Sequence, residues 1–402
     1  MKTIDDIQVT GKRVLLRLDL NVPIQDGWIA DDGKIRACLR TLRTLLDRGA
    51  AVIACSHLGR PAGVPEARYS LAPVAARLAG LLGQQVVFAT DTVGPRATSA
   101  VAAVMPGQVV LLENLRFNPG ETSKDDAQRG EFADQLAGMA DIYVGDGFGA
   151  VHRRHASIWD VALRLPHAAG YLIEAETEAL RKLTGDVARP YVVVLGGGKA
   201  ADKLPVVGAL LDRASRVLIG GAMATTFLAA QGLSVGTSQL DGDEETARGF
   251  LAKAAVAGVE LLLPSDVVVA ASRQDDGPLH VVASDAIPPD RMALDIGPET
   301  ARMYGSVLAG ARTIFWNGPM GVCEIPRFGC GTLAVARAIA RSGGFTMIGG
   351  GDTAAAVRQL GFADSEFGHV STGGGASLEF LEGKQLPGLT ALEAADPVRA
   401  RA

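Results

Sequence analysis

Two glycine triplets near the C-terminus have the residue types and spacing for phosphate chemistry. Each ends a short apolar run and precedes a segment of helical periodicity, at 349–351 and at 373–375. Glycine lets the backbone approach a phosphate, and the first N–H groups of the next helix point at it with the helix dipole behind them. Asp352 and Thr353 stand where a divalent cation or a helix cap would be needed. One triplet is explained equally well by a tight corner, but two in succession favour a phosphorylated ligand with its metal.

Cationic side chains follow four short apolar runs in the first half of the chain. These runs, at 13–18, 51–55, 109–112 and 141–144, predict buried strands. Ligands of doubly wound sheets bind at the carboxyl ends of the strands, and arginines and histidines gathered there suit a small substrate with phosphate and carboxylate groups. A single arginine would be an ordinary surface residue, but several strand ends contribute here. The candidate residues are Asp19, Asn21, His57, Arg60, Arg116, His152, Arg153 and His155.

Glycines and lysines follow the apolar runs of the second half and predict a mononucleotide site. Glycines admit a flat base close to the backbone, lysines meet phosphates, and a carboxylate can accept from ribose hydroxyls. A Walker-type loop is excluded, because Val193 stands where its first glycine belongs and Ala200 replaces Ser/Thr. The candidate residues are Gly197, Lys199, Lys203, Gly221 and Glu324.

Strands alternate with helices along the whole chain, which predicts parallel sheets covered by helices on both faces. The second half adds predicted strands at 191–195, 216–219, 267–270, 313–316 and 345–348, and the predicted helices are 71–82, 174–183, 201–214 and 244–257. We therefore expect an α/β fold of two doubly wound, Rossmann-like parallel-sheet domains joined by a hinge helix. The expected domains are residues 1–171 and 172–385, with the tail 386–402 packing on the first.

Composition restricts the class of protein. A chain of 402 residues exceeds one ordinary core, and 48% hydrophobic with 21% charged residues is typical of a globular protein. The net charge of −5 argues against a nucleic-acid partner, and no apolar run approaches the ~20 residues that cross a bilayer. The four cysteines lack metal-binding spacing, so we expect free thiols in a cytoplasmic protein.

Residues 145–150 loosely fit the dinucleotide pattern G-x-G-x-x-A after a strand. A nicotinamide-dependent oxidoreductase is the function this pattern would indicate. However, histidines and arginines follow instead of an apolar helix, and no acidic residue ends a second strand about 20 residues on. We therefore regard the match as accidental.

Six sequence blocks together resemble phosphoglycerate kinase over nearly the whole chain. They are residues 12–23, 56–61, 111–117, 316–322, 349–353 and 371–377. The resemblance implies a monomer of two domains on a hinge, the N-terminal one for 3-phosphoglycerate or 1,3-bisphosphoglycerate and the C-terminal one for Mg-ADP or Mg-ATP. It implies reversible phosphoryl transfer between these ligands after hinge closure. The acceptor carboxylate is ionised near neutral pH, so such a transfer needs no general base.

The resemblance also implies residue roles. The eight candidate residues listed above for the first half of the chain would bind phosphoglycerate. Lys199 would follow the transferring phosphoryl group. Lys203 would contact the nucleotide phosphates, Glu324 the ribose and Asp352 the Mg²⁺ ion. The nucleotide site would be completed by Gly197, Gly221, Gly350, Gly351 and Thr353. Gly374, within the second triplet, would contact the phosphoryl group during transfer.

One departure from the family pattern bears on catalysis. Lys34 stands where the family usually has an arginine that contacts both the substrate carboxylate and the phosphoryl group. Lysine keeps the charge but loses the planar fork, which predicts transfer roughly 10- to 100-fold slower. We expect this segment to be extended, and Arg36, two residues away, is the candidate to replace Lys34. The alternative is therefore a catalytically weakened relative that acts as a nucleotide-binding interaction protein. Further departures are Gly145, Gly147, Ala175 and Glu299.

Overall fold

The computed structural model describes residues 1–25, 27–198, 200–240 and 242–397, and the chain divides into two compact units. Unit 1 comprises Met1–Thr177 together with the C-terminal segment from Gln385, and unit 2 comprises Glu178–Lys384. No helix among the described residues is long and apolar enough to cross a membrane. All four cysteines are free thiols, as expected.

Unit 1 is built around a six-stranded parallel sheet. Its strand order is β5-β6-β4-β1-β7-β8, and a separate hairpin pairs β2 with β3. Both faces of the sheet are covered, so its central strands are buried along nearly their whole length. The elements are β1 (Arg13–Leu18), β2 (Ile24–Gln25), β3 (Trp28–Ile29), α1 (Gly33–Ala37), α2 (Leu39–Asp47), β4 (Ala51–Cys55), α3 (Ala72–Leu82), β5 (Val86–Phe88), α4 (Pro95–Ala103), β6 (Val109–Leu111), α5 (Asp126–Ala137), β7 (Ile142–Asp146), β8 (His167–Ala169) and the first half of α6 (Tyr171–Thr184), whose second half belongs to unit 2.

Unit 2 has a second six-stranded parallel sheet, of order β11-β10-β9-β15-β16-β17. A three-stranded antiparallel sheet, β13-β12-β14, is added to it. The elements are β9 (Tyr191–Leu195), α7 (Ala200–Leu211), β10 (Arg216–Ile219), α8 (Gly221–Ala230), α9 (Glu244–Ala257), β11 (Glu260–Leu262), β12 (Asp266–Ala270), β13 (His280–Ala283), β14 (Met292–Ile296), α10 (Pro298–Ala309), β15 (Thr313–Asn317), α11 (Cys330–Ala340), β16 (Phe345–Gly349), α12 (Gly351–Gln359), β17 (His369–Val370) and α13 (Gly375–Leu381).

The last helix, α14 (Pro387–Glu393), lies on unit 1. Its Gly388 N–H donates to the Val151 carbonyl at 2.8 Å. A Cβ at Gly388 would lie 2.9 Å from Val151 Cα and 2.8 Å from a side-chain carbon of Ile158, so this contact requires glycine. Residues 398–402 of the predicted tail lie outside the described residues.

The α/β class with two parallel sheets is confirmed, and two local predictions are wrong. The strand predicted at 267–270 exists as β12, but it pairs antiparallel with both neighbours. A fully buried run of β-branched residues has the same pattern in either orientation.

The segment around Lys34 is helical rather than extended, forming α1. The Asp31 carboxylate accepts from the Gly33 N–H at 2.8 Å, and Arg36 pairs with Asp32 at 2.8 Å across one helical turn. These local contacts favour a helix over an extended chain. Residues two apart would share a face of an extended chain, but they do not share a helix face, so Arg36 points away from Lys34.

Candidate functional site

The carboxyl edge of the unit 1 sheet holds a buried ionic cluster. Asp19, directly after β1, is only 6% exposed, and its carboxylate accepts from Lys34 Nζ at 2.8 Å. Burial raises the pKa of Asp19, but the nearby Lys34 ammonium and further positive charges outweigh it, so the pKa lies below its ordinary value. Asn21 accepts from the Gly59 N–H at 2.9 Å and so joins the end of β1 to the loop after β4. α1 thus delivers Lys34 to the end of β1.

Arg17 lies beneath this edge, and sequence reasoning did not single it out. It belongs to β1 and is only 2% exposed. Its Nε donates to Ser157 Oγ at 2.8 Å, and its Nη2 lies 3.2 Å from His57 Nδ1. A guanidinium can only donate, so His57 Nδ1 accepts and the imidazole is neutral. Burial first, and then the Arg17 charge, hold the pKa of His57 well below its ordinary value.

Ser157 connects Arg17 to a second buried carboxylate. Its hydroxyl donates to Glu121 Oε1 at 2.7 Å, and its backbone N–H donates to Glu121 Oε2 at 3.0 Å. Glu121 is fully buried, which raises its pKa, while the positive charge of Arg17 opposes that shift. Arg17, Ser157 and Glu121 therefore form one hydrogen-bonded chain under the basic edge. The signal in the sequence was an arginine inside an otherwise apolar strand, since a buried charge needs partners.

Three buried nitrogens at this edge have no hydrogen-bond partner among the described residues: Arg116 Nε, His152 Nδ1 and His155 Nδ1. Glu121 Oε1 lies 3.7 Å from His155 Nδ1, beyond hydrogen-bonding distance. Buried polar atoms are almost always paired, so unpaired nitrogens clustered in this way indicate a ligand-binding position.

The positive charge of the edge is carried by arginines rather than by histidines. Burial, and then neighbouring arginines, lower the pKa of His152 to about 4 and that of His155 to about 3. Burial, followed by Arg17, likewise lowers the pKa of Arg116, whose Nη1 donates to the Gly59 carbonyl at 2.6 Å. The exposed Arg60 adds its charge to the same group. The exposed Arg153 acts on both histidines, so the structure brings all the predicted unit 1 residues to one edge.

Unit 2 contains a cavity of about 620 Å³, within the usual range for small-molecule sites. One end is formed by glycine turns at the carboxyl ends of β9 and β10, with Lys203, Asp352 and Glu324 also in the lining. Gly197 and Gly221 both have positive φ, of 70° and 59°, and a Cβ on Gly221 would lie 2.5 Å from Gly197 N. The two turns therefore approach each other as only glycines can.

Lysine and threonine side chains fix the loops around this end. Lys203 Nζ donates to the Gly196 carbonyl at 2.6 Å. Thr353 is buried, and its hydroxyl accepts from the Gly318 N–H at 2.7 Å, which ties the start of α12 to the loop after β15. Asp352, one residue earlier, is exposed and lines the cavity. Lys199 lies outside the described residues.

The glycine triplets begin α12 and α13, as their spacing predicted. Gly350, with φ of 87°, precedes Gly351 at the start of α12. Gly374, with φ of 53°, directly precedes α13. Their proposed contacts with nucleotide and phosphoryl groups stay predictions.

Asp295 is a second residue that sequence reasoning did not identify. It is the next-to-last residue of β14, lines the cavity and is only 4% exposed. Its carboxylate accepts from the Gly331 N–H at 2.7 Å and from the Ile296 N–H at 2.9 Å, and burial raises its pKa to about 7. Asp295 thus ties the floor of the cavity to the start of α11.

The described residues contain no group of three or more side chains that could hold a metal ion. They therefore provide no magnesium site made of protein ligands alone. Mg²⁺ is usually held by one or two carboxylates together with substrate phosphates. The exposed carboxylate of Asp352, which lines the same cavity as the glycine turns, fits that arrangement.

Comparison with known proteins identifies the family of this chain. A family model described as phosphoglycerate kinase matches residues 4–384. The chain is 59% identical over 402 residues to a phosphoglycerate kinase of Streptomyces avermitilis, covering 98% of this chain and 100% of the relative. It is 59% identical over 399 residues to one of Salinispora arenicola, covering 98% and 99%.

Solved structures give the same result. The phosphoglycerate kinase of Coxiella burnetii matches with a TM-score of 0.85 and 40% identity, over 97% of this chain and 98% of that one. The phosphoglycerate kinase of Pyrococcus horikoshii matches with a TM-score of 0.84 and 33% identity, over 98% of each chain. The chain therefore belongs to the phosphoglycerate kinase family.

Proposed function

We propose that this chain transfers a phosphoryl group reversibly between 1,3-bisphosphoglycerate and Mg-ADP, giving 3-phosphoglycerate and Mg-ATP, in glycolysis and gluconeogenesis. The observation that carries the proposal is the cluster of three buried, unpaired nitrogens among arginines in unit 1. It suits a small ligand with several negative charges, and family membership supports phosphoglycerate as that ligand.

Unit 1 residues would hold phosphoglycerate by charge and hydrogen bonds. Arg116 and the unpaired histidine nitrogens would contact the substrate phosphate and carboxylate, and Lys34 would reach the carboxyl group that receives the phosphoryl. The histidines are neutral at pH 7, since the pKa of His152 is about 4 and that of His155 about 3. They would act as oriented hydrogen-bonding groups, and this agrees with a reaction that needs no general acid or base.

Unit 2 residues would hold the nucleotide. Lys203 would contact its phosphates, the glycine turns would admit the base close to the backbone, and Glu324 would accept from ribose hydroxyls. Asp352 would hold Mg²⁺, which neutralises phosphate charge when bound. Backbone N–H groups beside Gly374 would stabilise the charge that develops on the transferring group. Lys199 would follow the same group, as the family pattern implies.

The remaining proposals rest on the sequence pattern and on the family resemblance. They are that residues 1–171 form the phosphoglycerate domain and 172–385 the nucleotide domain, that α6 serves as the hinge helix, and that the protein is a cytoplasmic monomer. Transfer by this scheme is a matter of positioning and charge neutralisation, because the acceptor carboxylate is already ionised.

The test is steady-state turnover of the purified protein with Mg-ATP and 3-phosphoglycerate, beside Lys34→Arg. Lys12→Arg is the matched control, since Lys12 is exposed and lies outside the site. We expect turnover by the unmodified protein and a roughly 10-fold or greater rise in Lys34→Arg, because arginine restores a bidentate contact. The proposal is refuted if the unmodified protein and both variants are folded and none of them turns over the substrates. Binding of both ligands without turnover would favour the weakened-relative alternative, which the comparisons do not support.

A further inference from the structure

Asn114 follows β6 and joins three segments of unit 1 through one buried amide. It is fully buried, and its Nδ2 group donates to the Leu58 carbonyl at 2.7 Å and to the Tyr69 carbonyl at 2.9 Å. Its Oδ1 accepts from the Leu58 N–H at 3.2 Å and from the Arg116 N–H at 3.0 Å. A primary amide has two donor and two acceptor positions, and all four are filled here. These partners therefore determine the orientation of the amide.

The contacts of Asn114 hold the loop after β4 against Arg116. The Arg116 carbonyl accepts from the Gly63 N–H at 3.1 Å, and Arg116 Nη1 donates to the Gly59 carbonyl at 2.6 Å. Leu58, which Asn114 binds through both its N–H and its carbonyl, directly precedes Gly59. The same amide thus fixes the backbone that carries the guanidinium and the loop whose carbonyl group receives it.

Tyr69 restrains this loop from another side. A Cβ at Gly59 would lie 2.2 Å from a ring carbon of Tyr69, so the ring rests directly against the glycine. Gly59 has a φ of 59°, which glycine adopts without strain. Because Asn114 Nδ2 binds the Tyr69 carbonyl, it also holds the backbone that carries this ring. The Gly59 carbonyl is therefore held in position from two sides.

The contact with Gly59 determines which edge of the Arg116 guanidinium is left for a ligand. Nη1 is occupied by the carbonyl group, whereas Nε is buried without a partner among the described residues. Nε and Nη2 form the side edge of the planar fork, and this edge matches the two oxygens of a carboxylate or phosphate group. A shift of the Gly59 carbonyl would release Nη1 and allow the fork to turn.

We propose that Asn114 is a positioning residue for phosphoglycerate binding, which holds the Gly59 carbonyl so that the Nε–Nη2 edge of Arg116 faces the anionic substrate. This inference rests on the proposed phosphoglycerate site in unit 1. The competing explanation is that the amide only stabilises the loop. The two explanations differ in whether the effect of Asn114 on substrate binding depends on Arg116.

The test is a double-mutant cycle on the Kd for 3-phosphoglycerate, measured by isothermal titration calorimetry. The proteins are the unmodified chain, Asn114→Ser, Arg116→Met and the double variant. Serine can still accept from the Arg116 N–H as a cap, but it is too short to reach both Leu58 and Tyr69. We expect Asn114→Ser to raise the Kd roughly 10-fold, as for a misplaced hydrogen bond to a charged group. Added to Arg116→Met, it should raise the Kd by no more than about 2-fold, because the residue it positions is already absent.

Asn118→Ser is the matched control. Asn118 caps the next turn of the same segment, where its Oδ1 accepts from the Gly120 N–H at 2.9 Å. Serine can keep such a cap, so the Kd for 3-phosphoglycerate should be unchanged. Titration with Mg-ATP checks that Asn114→Ser retains a folded unit 2, and the Kd for Mg-ATP should also be unchanged.

NMR of the ¹⁵N-arginine-labelled unmodified protein tests the same inference without substituting Asn114. The Nε–H signal of Arg116 is assigned by its absence from the spectrum of Arg116→Met. Saturation with 3-phosphoglycerate should shift this signal, because Nε gains an acceptor that it lacks in the ligand-free protein.

The outcomes separate this inference from the proposed function. The inference is overturned if the two substitutions have additive effects, if Asn114→Ser binds 3-phosphoglycerate like the unmodified protein, or if the Arg116 Nε–H signal does not shift at saturation. In each of these cases binding of 3-phosphoglycerate still supports the proposed site. Failure of the folded, unmodified protein to bind 3-phosphoglycerate would overturn both.

Discussion

Removing the Arg17 charge should destabilise unit 1 by an amount that grows with pH. In Arg17→Met the fully buried carboxylate of Glu121 keeps its hydrogen bonds from Ser157 but loses the positive charge that opposes burial. Breaking a buried charge pair by removing one partner costs about 3–5 kcal/mol, and we expect a loss of about 3 kcal/mol at pH 8. Methionine keeps the length and apolar stem of the side chain, so little of this cost is lost packing.

The sign of the pH dependence follows from the raised pKa of Glu121. A carboxyl whose pKa is higher in the folded than in the unfolded protein contributes stability that is present below its unfolded value and is lost as pH rises through its folded value. Loss of Arg17 raises the folded pKa further, so the loss of stability continues to higher pH in the variant. Lower pH favours the protonated carboxyl of Glu121, so the difference in unfolding free energy between the variant and the unmodified protein should be smaller at pH 5 than at pH 8.

Urea unfolding at pH 5 and pH 8 measures this difference, with a spectroscopic probe in unit 1 because two units can unfold separately. Glu121→Gln is the control for the carboxylate, and Arg17→Met/Glu121→Gln removes both charges. We expect the double variant to recover much of the stability at pH 8, since no buried charge is left unpaired. The reasoning is wrong if the double variant loses the sum of the two single effects, or if the loss in Arg17→Met is the same at both pH values.

Three further results are expected. NMR titration of His152 and His155 should show no transition between pH 6 and 8, because their pKa values lie at about 4 and about 3; midpoints near 6.5 would contradict the burial argument. Asp295→Asn should gain stability relative to the unmodified protein as pH rises from 5 to 8, because the stability contributed by the Asp295 carboxyl is lost as pH rises through its folded pKa of about 7; parallel urea-unfolding profiles would contradict this. Gly221→Ala should raise KM for the nucleotide and cost about 1–3 kcal/mol in thermal unfolding, because its Cβ would lie 2.5 Å from a backbone nitrogen of the neighbouring turn. Gly232→Ala, with φ of 83° and no atom within 4 Å, is its control for backbone strain alone, and an equal effect in both would exclude a role for the close approach.

The sequence predicted the parallel sheets and the residues at their edges because both depend on local pattern. An apolar run followed by a glycine or a charged residue marks a strand end, and parallel strands bring such ends together. This reasoning placed His57 and Arg116 at one edge without any knowledge of the fold. It could not give the orientation of β12, since antiparallel pairing depends on which distant strands are available, namely β13 and β14.

Residues that act from within the core were not predictable in the same way. Arg17 and Asp295 matter because of hydrogen bonds to residues far along the chain. Arg17 bonds to Ser157, and Asp295 bonds to Gly331. The residues near Arg17 and Asp295 in the sequence do not indicate which distant residue each of them contacts. The helix at Lys34 was missed for the opposite reason, because its Asp-Gly start is typical of a turn and only the contacts made in the structure favour α1.

The basic edge of unit 1 explains why a ligand should stabilise this protein strongly. Positive charges gather around Arg116 there, and three nitrogens are buried without partners among the described residues. Both features cost free energy in the ligand-free protein. An anionic ligand removes both costs at once, and it binds only the folded state, so it raises the free energy of unfolding by RT ln(1 + [L]/Kd). The buried carboxylates of Asp19 and Glu121 already balance part of the positive charge, so the site can remain folded in the absence of that ligand.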